Sequence, residues 1–332
     1  MKPSNCPFCG STHVLIKEKY SNRTRWRCGD CNKSWSVRIA QEPEFTSNKK
    51  EGIFNWREWS KHLSERQALH EKASWSQDTA AIKLDTPYPY IVWKPLADIH
   101  LGAIGTDYKT LTDISDNVLS IPYLYISLLG DEEDNFVSFK SQLAVVQQIL
   151  SPEEQDSFVE SWLTELSPKI LFSTWGNHAE FEEKATGRNT LKKLLNHNVI
   201  YFNGIGVCIL ELNGIKYKIV PTHKTRYGSS FNKTHGLKQL ARKEIPDADV
   251  YLMGHIHDPA VEYSFERGMW QIFAVMGTLK HNDGFAKRYF SAFSAREDFA
   301  FVLDTKQKKV LIFPTLDDAL GFAKMGNEVV NG

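Results

Sequence analysis

Three observations predict an α/β protein with a small metal-stapled module at its front. Five short apolar runs each end on a metal-binding residue type: Asp98 with His100, Asp131, Asn177 with His178, His223, and His255 with His257. Segments of helical spacing lie between these runs, and two Cys-x-x-Cys pairs precede them all. A strand that delivers Asp, Asn or His at its carboxyl end puts that side chain in the loop above a sheet, where open α/β folds keep their sites.

Four of the five cysteines form the pairs Cys6-x-x-Cys9 and Cys28-x-x-Cys31. Each knuckle turns tightly enough to aim two sulfurs at one tetrahedral ion, so residues 1–40 read as a zinc ribbon holding one structural Zn. So short a segment cannot bury enough apolar surface unaided, and the metal supplies its folding free energy. The fifth cysteine, Cys208, lies in an apolar run and is expected in the core. The stretch Arg25-Trp26-Arg27-Cys28-Gly29-Asp30-Cys31-Asn32-Lys33-Ser34-Trp35 resembles the ribbons at the front of transposases and of phage or plasmid DNA-handling proteins. Its interleaved Arg and Trp suit stacking on bases and pairing with phosphates, although Trp26 and Trp35 equally suit the ribbon's own small core.

Charge points the same way. Residues 1–40 carry eight basic and two acidic side chains, a net +6, and since the whole chain is neutral the remainder carries −6. A basic head on an acidic body suggests a polyanion contact at the amino terminus. No stretch approaches the roughly 20 apolar residues of a membrane span, and Met1 to Cys6 offers no apolar signal core. The expected setting is therefore cytoplasmic, in the host cytoplasm if the protein is phage-encoded. Nucleic acid, DNA ahead of RNA, is the expected partner; no membrane contact is expected, and a homo-oligomer is left open.

Residues 41–86 read as a linker and docking helix. Gln41 to Lys50 is polar and contains Pro43. Trp56, Trp59 and Leu63 then recur at helical spacing, predicting a helix from about Asn55 to Lys72 that packs on the main domain. That domain is expected to begin near Pro87 and to run over 87–332. Its ligand-bearing runs are Tyr90 to Ala97, Tyr123 to Leu129, Ile170 to Trp175, Tyr217 to Pro221 and Val250 to Met253, each rich in β-branched, aromatic or leucine residues and cut off at Gly or a polar residue.

Between them, Tyr108 to Leu119, Lys140 to Leu150, Glu153 to Leu166 and Thr190 to Leu195 are read as helices. The third has the clearest start, with Ser151 as N-cap and Pro152 at the first helical position. Val207 to Leu212 and Lys216 to Val220 flank Asn213-Gly214, a strong hairpin signal. Late strands at Trp270 to Val275, Phe299 to Leu303 and Lys309 to Phe313 suggest a second sheet packed on the first.

Read in order, the chain gives Asp98-Ile99-His100, Gly130-Asp131-Glu132-Glu133-Asp134-Asn135, Gly176-Asn177-His178, a lone His223, and Gly254-His255-Ile256-His257. Together these resemble the calcineurin-like metallophosphoesterase family, in its phage and repair-nuclease-like branch. The resemblance covers residues 98–257 and implies a four-layer α/β/β/α sandwich. It implies that Asp98, His100 and His257 hold one divalent ion, that Asn177, His223 and His255 hold another, and that Asp131 bridges them. Mixed carboxylate, amide and imidazole ligands suit borderline ions, with Mn expected first and Fe or Zn as alternatives.

In the family a hydroxide shared by the two cations attacks phosphorus, and the histidine of G-N-H assists the leaving oxygen, which makes His178 the expected general acid beside Asp131. The carboxylate that usually follows that histidine is Ala179 here, so Glu180, Glu182 or Asp98 is expected to orient His178. Lys224 replaces a usual glycine and would narrow the site or contact phosphate. Lys280, Lys287 and Arg288 are read either as phosphate holders or as a solvated basic face, and Asn135 as a support or substrate contact. His13, His62, His70, His197, His235 and His281 belong to no motif.

The resulting expectation is a two-metal phosphodiesterase, a nuclease or nucleic-acid-processing enzyme. The alternative is a phosphoprotein or small-molecule phosphatase, against which stands Asn135-Phe136 where that branch carries an arginine. A non-catalytic nucleic-acid-binding protein ranks third, because every ligand position is filled.

Overall fold

Apolar residues are few at the front of the chain, and the computed structural model closes the core there on thiols: Cys6, Val14 and Cys28 are buried, with Phe8 and Cys31 packed against them. The structure describes residues 5–6, 8–20, 23–35, 56–72, 78–135, 147–187, 194, 196–229, 231–281 and 299–328. The chain divides into two units, Met1–Ser76 and Gln77–Gly332.

In the first unit β1 (Val14–Tyr20), β2 (Arg23–Cys28) and β3 (Ser34–Trp35) form an antiparallel sheet. Its register sets Val14 opposite Cys28 and so draws the second knuckle alongside the first. Trp26 pairs with Trp35 along the backbone, while both indole side chains lie outside the described residues. The expected linker Gln41 to Lys50 also lies outside them. Helix α1 spans Trp56–Lys72, with Trp56, Trp59 and Leu63 exposed.

The second unit contains β4 (Thr79–Leu84), β5 (Tyr90–Leu96), α2 (Tyr108–Ser120), β6 (Leu124–Leu128), α3 (Pro152–Leu166), β7 (Ile170–Thr174), α4 (Asn177–Thr186) and β8 (Tyr201–Phe202). There follow β9 (Val207–Leu212), β10 (Ile215–Thr222), α5 (His235–Lys243), β11 (Val250–Met253), β12 (Ala260–Glu266), β13 (Met269–Val275), β14 (Ala300–Asp304), β15 (Val310–Phe313) and α6 (Leu316–Glu328). The strands form two six-stranded sheets, ordered β15-β14-β5-β6-β7-β8 and β12-β13-β11-β10-β9-β4.

Alternation along β5 shows how the layers arise. Val92 and Leu96 point into a core shared with α2 and α3 through Leu111, Val118, Val159 and Leu163. Ile91 and Trp93 point the other way, into a core shared with Leu210, Ile219 and Leu252 of the second sheet. The second sheet turns Val220, Tyr251 and Phe273 toward Leu237 and Leu240 of α5. Helices, sheet, sheet and helix thus follow one another. Cys208 is buried in the middle core, which pushes its thiol up to about 12.

Local signals set several elements. Ser151 and Glu154 make a reciprocal capping box at the start of α3. Asp107 caps α2 by accepting from Thr110 N at 3.0 Å. The β9–β10 hairpin turns at Asn213 (φ 48°) and Gly214 (φ 92°), the backbone a two-residue hairpin needs.

Three expectations are corrected. The main unit starts before residue 87, because β4 lies parallel to β9 in the second sheet and buries Ala80; part of the stretch read as linker and docking helix is therefore sheet. The ligand-bearing strands do not share one sheet: β5, β6 and β7 lie in the first, β10 and β11 in the second. The late strands do not form a sheet of their own either. β13 pairs parallel to β11, and β14 pairs antiparallel to β5, extending both sheets laterally. Residues 140–146 of one expected helix, and Thr190 to Leu195 except Leu194, lie outside the described residues, while Gln147 to Leu150 form a turn. Among the described residues no helix is long and apolar enough to cross a membrane.

Candidate metal centres

Strand ends from both sheets meet at one mouth. Asp98 and His100 follow β5, Asp131 follows β6, Asn177 and His178 open α4 after β7, His223 follows β10, and His255 and His257 follow β11. Five of these are non-glycine residues in the left-handed region: Asp98 (φ 49°), His100 (54°), Asp131 (54°), His255 (69°) and His257 (61°). Each such residue costs about 1–3 kcal/mol, and strain of this kind gathers where function demands it.

All eight expected side chains come together. One donor group is Asp98, His100 and His257; a second is Asp131, His223 and His255; a third joins Asp131 to His100 and His178. Within the first, His257 Nε2 lies 3.0 Å from Asp98 Oδ1 and 3.1 Å from His100 Nε2. In the second, His223 Nε2 lies 3.2 Å from Asp131 Oδ2 and 2.9 Å from Asn177 Oδ1. Asp131 belongs to the second group and, through the third, also stands beside His100 of the first.

The residues fit divalent cations. Asp98 is wholly buried, and its Oδ1 has no hydrogen-bond partner although two imidazole nitrogens face it. Lone pairs converging this closely repel unless a proton or a cation lies between them. Carboxylate, amide and imidazole donors suit a borderline divalent ion.

The surroundings fix which atoms face inward. His223 Nδ1 donates to Leu129 O at 2.7 Å, which leaves Nε2 for the centre. His255 N donates to Asp98 Oδ2 at 2.7 Å, and His178 N to Asp131 Oδ1 at 2.9 Å. Thr278 Oγ1 donates to Asp98 O at 2.6 Å. A Cβ on Gly254 would come 2.8 Å from Asp98 Oδ2, and one on Gly130 would come 2.9 Å from His223 Nδ1; both glycines admit a ligand to close range.

Burial holds His100 and His255 down at about 4, so both are neutral at physiological pH. Burial acts the same way on His223, but Asp131 beside it outweighs that and raises the imidazole to about 9. Burial would raise the Asp131 carboxyl, yet His178 and His223 hold it far below the ordinary carboxylate range.

His178 differs from its expected arrangement. Its Nδ1 meets the backbone carbonyl of Asp134 and not a carboxylate. Glu180 faces Lys184, and Glu182 accepts from Asn135 Nδ2 at 2.8 Å. Asp134 also places its carboxylate 3.1 Å from His100 Nδ1 and 2.9 Å from Lys280 Nζ. Lys280, read as a phosphate holder or a solvated face, is thus committed to Asp134; Lys287 and Arg288 lie outside the described residues. Asn135 is buried and links the β6 loop to α4 through Glu133 and Glu182. The Asp134 role was hidden because a main-chain carbonyl carries no sequence signature.

A second donor group occupies the first unit. The four sulfurs of Cys6, Cys9, Cys28 and Cys31 lie within 4.8 Å of one another, with Cys6–Cys31 at 3.6 Å and Cys9–Cys28 at 3.5 Å. The two knuckles repeat one turn: Gly10 N donates to Cys6 O and Asn32 N to Cys28 O, with both residues left-handed. Phe8 N and Cys31 N point at the sulfurs of Cys6 and Cys28. The Cys31 amide leads the contacts that lower the Cys28 thiol to about 6, toward the thiolate a metal requires.

No family model and no curated protein matches the chain. Among solved structures it is similar to a metallophosphoesterase from Sphaerobacter thermophilus, at 12% identity over 72% of this chain and 97% of that one, with a TM-score of 0.37. It is similar to a Thermotoga maritima protein at 13% identity, over 68% and 99% of the two chains, with a TM-score of 0.32. A protein of unknown function from Aquifex aeolicus shows 15% identity over 50% and 80%, with a TM-score of 0.25. Likenesses at such TM-scores fix neither the family nor the reaction.

Proposed function

We propose that the chain is a two-cation phosphodiesterase of calcineurin-like metallophosphoesterase type, acting on nucleic acid. The observation that carries this reading is the convergence of the D-x-H, G-D, G-N-H, H and H-x-H side chains on one mouth, with Asp131 grouped with His223 and His255 on one side and with His100 on the other. Asp98, His100 and His257 would hold one cation and Asn177, His223 and His255 the other, with Asp131 as the ligand shared between them. Mn is the first choice by donor chemistry, with Fe or Zn next. When bound, the pair supplies an activated water and offsets charge on the phosphoryl oxygens.

The protein's own groups orient the rest. His178 gives Nδ1 to the Asp134 carbonyl, and we assign its Nε2, 3.8 Å from Asp131 Oδ2, the role of carrying a proton to the leaving oxygen. Asp134 fixes His100 from behind, so one residue aligns both a cation ligand and the acid. Buried Asn135 stands where a monoesterase of this kind would carry its phosphate-clamping arginine, which favours diesters over monoesters. The zinc ribbon, basic for its size, supports a polyanionic substrate.

The test is an assay of Mn-loaded protein on bis-nitrophenyl phosphate, nitrophenyl phosphate, oligonucleotides and a phosphopeptide. Diester and oligonucleotide turnover is expected, falling at least about a hundredfold in Asp131→Asn. Activity confined to the phosphopeptide or the monoester overturns the reading.

A further inference from the structure

Lys280 lies on the strip of chain that leaves β13, and its backbone is laced to the segment that begins at Asp98. Thr278 Oγ1 donates to Asp98 O at 2.6 Å, and Lys280 N donates to Thr278 Oγ1 at 2.9 Å. Asp107 N donates to Leu279 O at 2.8 Å, and His281 N donates to Gly105 O at 2.7 Å. The Lys280 side chain therefore starts from a backbone held on both sides.

That side chain is only 12% exposed, and its Nζ lies 2.9 Å from Asp134 Oδ1, on a carboxylate only 1% exposed. The same oxygen lies 3.1 Å from His100 Nδ1. This imidazole nitrogen lacks the alignment of a formed hydrogen bond, so the carboxylate acts on it through charge. His100 Nε2 is left facing His257, at 3.1 Å. A buried carboxylate keeps its charge only when it is paired, and among the described residues Lys280 is the one lysine or arginine paired with Asp134.

A carboxylate behind an imidazole ligand makes it a stronger donor and fixes which nitrogen faces the ion. On the other half of the centre His223 is aligned by the Leu129 carbonyl, so its orientation does not pass through Lys280. We propose that Lys280 is a positioning residue for the half formed by Asp98, His100 and His257. By keeping the Asp134 carboxylate charged and in place behind His100, it sets how tightly that half holds its cation. This brace rests on the two-cation reading above.

The test follows Mn binding to the full chain by electron paramagnetic resonance, because Mn favours carboxylate oxygens and leaves the ribbon's thiolates to softer ions. Wild-type protein is expected to bind two ions as a coupled pair. Lys280→Met is expected to weaken one of the two binding steps about 10–100-fold and to keep the other, so that Mn sufficient for the wild-type pair gives the spectrum of an isolated ion. Asp134→Asn is expected to weaken the same step. Adding Lys280→Met to Asp134→Asn is expected to weaken it no further, because the carboxylate through which Lys280 acts is already gone. The double variant leaves neither charge buried alone, so its comparison with Asp134→Asn decides the matter where Lys280→Met by itself does not fold. Two unchanged steps in Lys280→Met, equal losses on both steps, no loss in Asp134→Asn, or a further loss in the double variant overturns the brace alone. Wild-type protein that binds no Mn pair overturns the two-cation reading, and the brace with it.

Discussion

His178 is where the chemistry of the site can be probed one atom at a time. His178→Ala is expected to slow an alkyl-leaving diester by about 10²–10⁴ and a nitrophenyl diester far less, since only the poor leaving group needs a proton. Equal losses on both would rule out a general acid. His223 yields a pH prediction. Its folded value of about 9 lies above the ordinary 6.5, so the metal-free Asp131–His223 pair stabilises the fold fully below about pH 6.5. That contribution is lost as pH rises through about 9. A cation needs the neutral imidazole, so loading at pH 7.5 is expected to release a proton, and affinity should climb toward pH 9. Calorimetry in buffers of different ionisation enthalpy reads this directly; loading with no proton release would contradict it. At this scale, residue type and order marked the side chains that the structure brings together. The Asp134 carbonyl behind His178 and the capture of Lys280 by Asp134 were not, because both depend on where the β6 loop folds back.

Elements divide into those set by local chemistry and those set by partners. The capping box at Ser151 and the Asn213-Gly214 turn were readable because each acts within four residues. Ser151→Ala is expected to lower stability by about 1 kcal/mol with kcat unchanged, checked by the midpoint of denaturant unfolding. A loss of activity at unchanged stability would show that α3 does more than support the sheet. Sheet membership, in contrast, was misread. The run Ala80 to Leu84 looks like part of a linker until β9 is beside it, and β13 and β14 differ little in pattern although they join different sheets. Pairing is a long-range choice, and apolar alternation alone does not encode it.

Over the whole molecule, the thiol cluster and the two-sheet body are separate units, and each should answer to its own metal. Removing Met1–Ser76 is expected to leave turnover of bis-nitrophenyl phosphate intact, while binding of an oligonucleotide weakens and loses part of its salt dependence. Unchanged DNA affinity at all salt concentrations would reassign the ribbon to a protein contact. The charge asymmetry between a basic head and an acidic body was plain in the sequence and is the reason for this expectation.

The central claim is that Asp131 stands between two cations. Anomalous diffraction at the Mn edge, from crystals grown with Mn, tests it most directly. The account predicts two peaks about 3.5–4 Å apart, both in reach of the Asp131 carboxylate. A single peak there, or metal found only among Cys6, Cys9, Cys28 and Cys31, would contradict it.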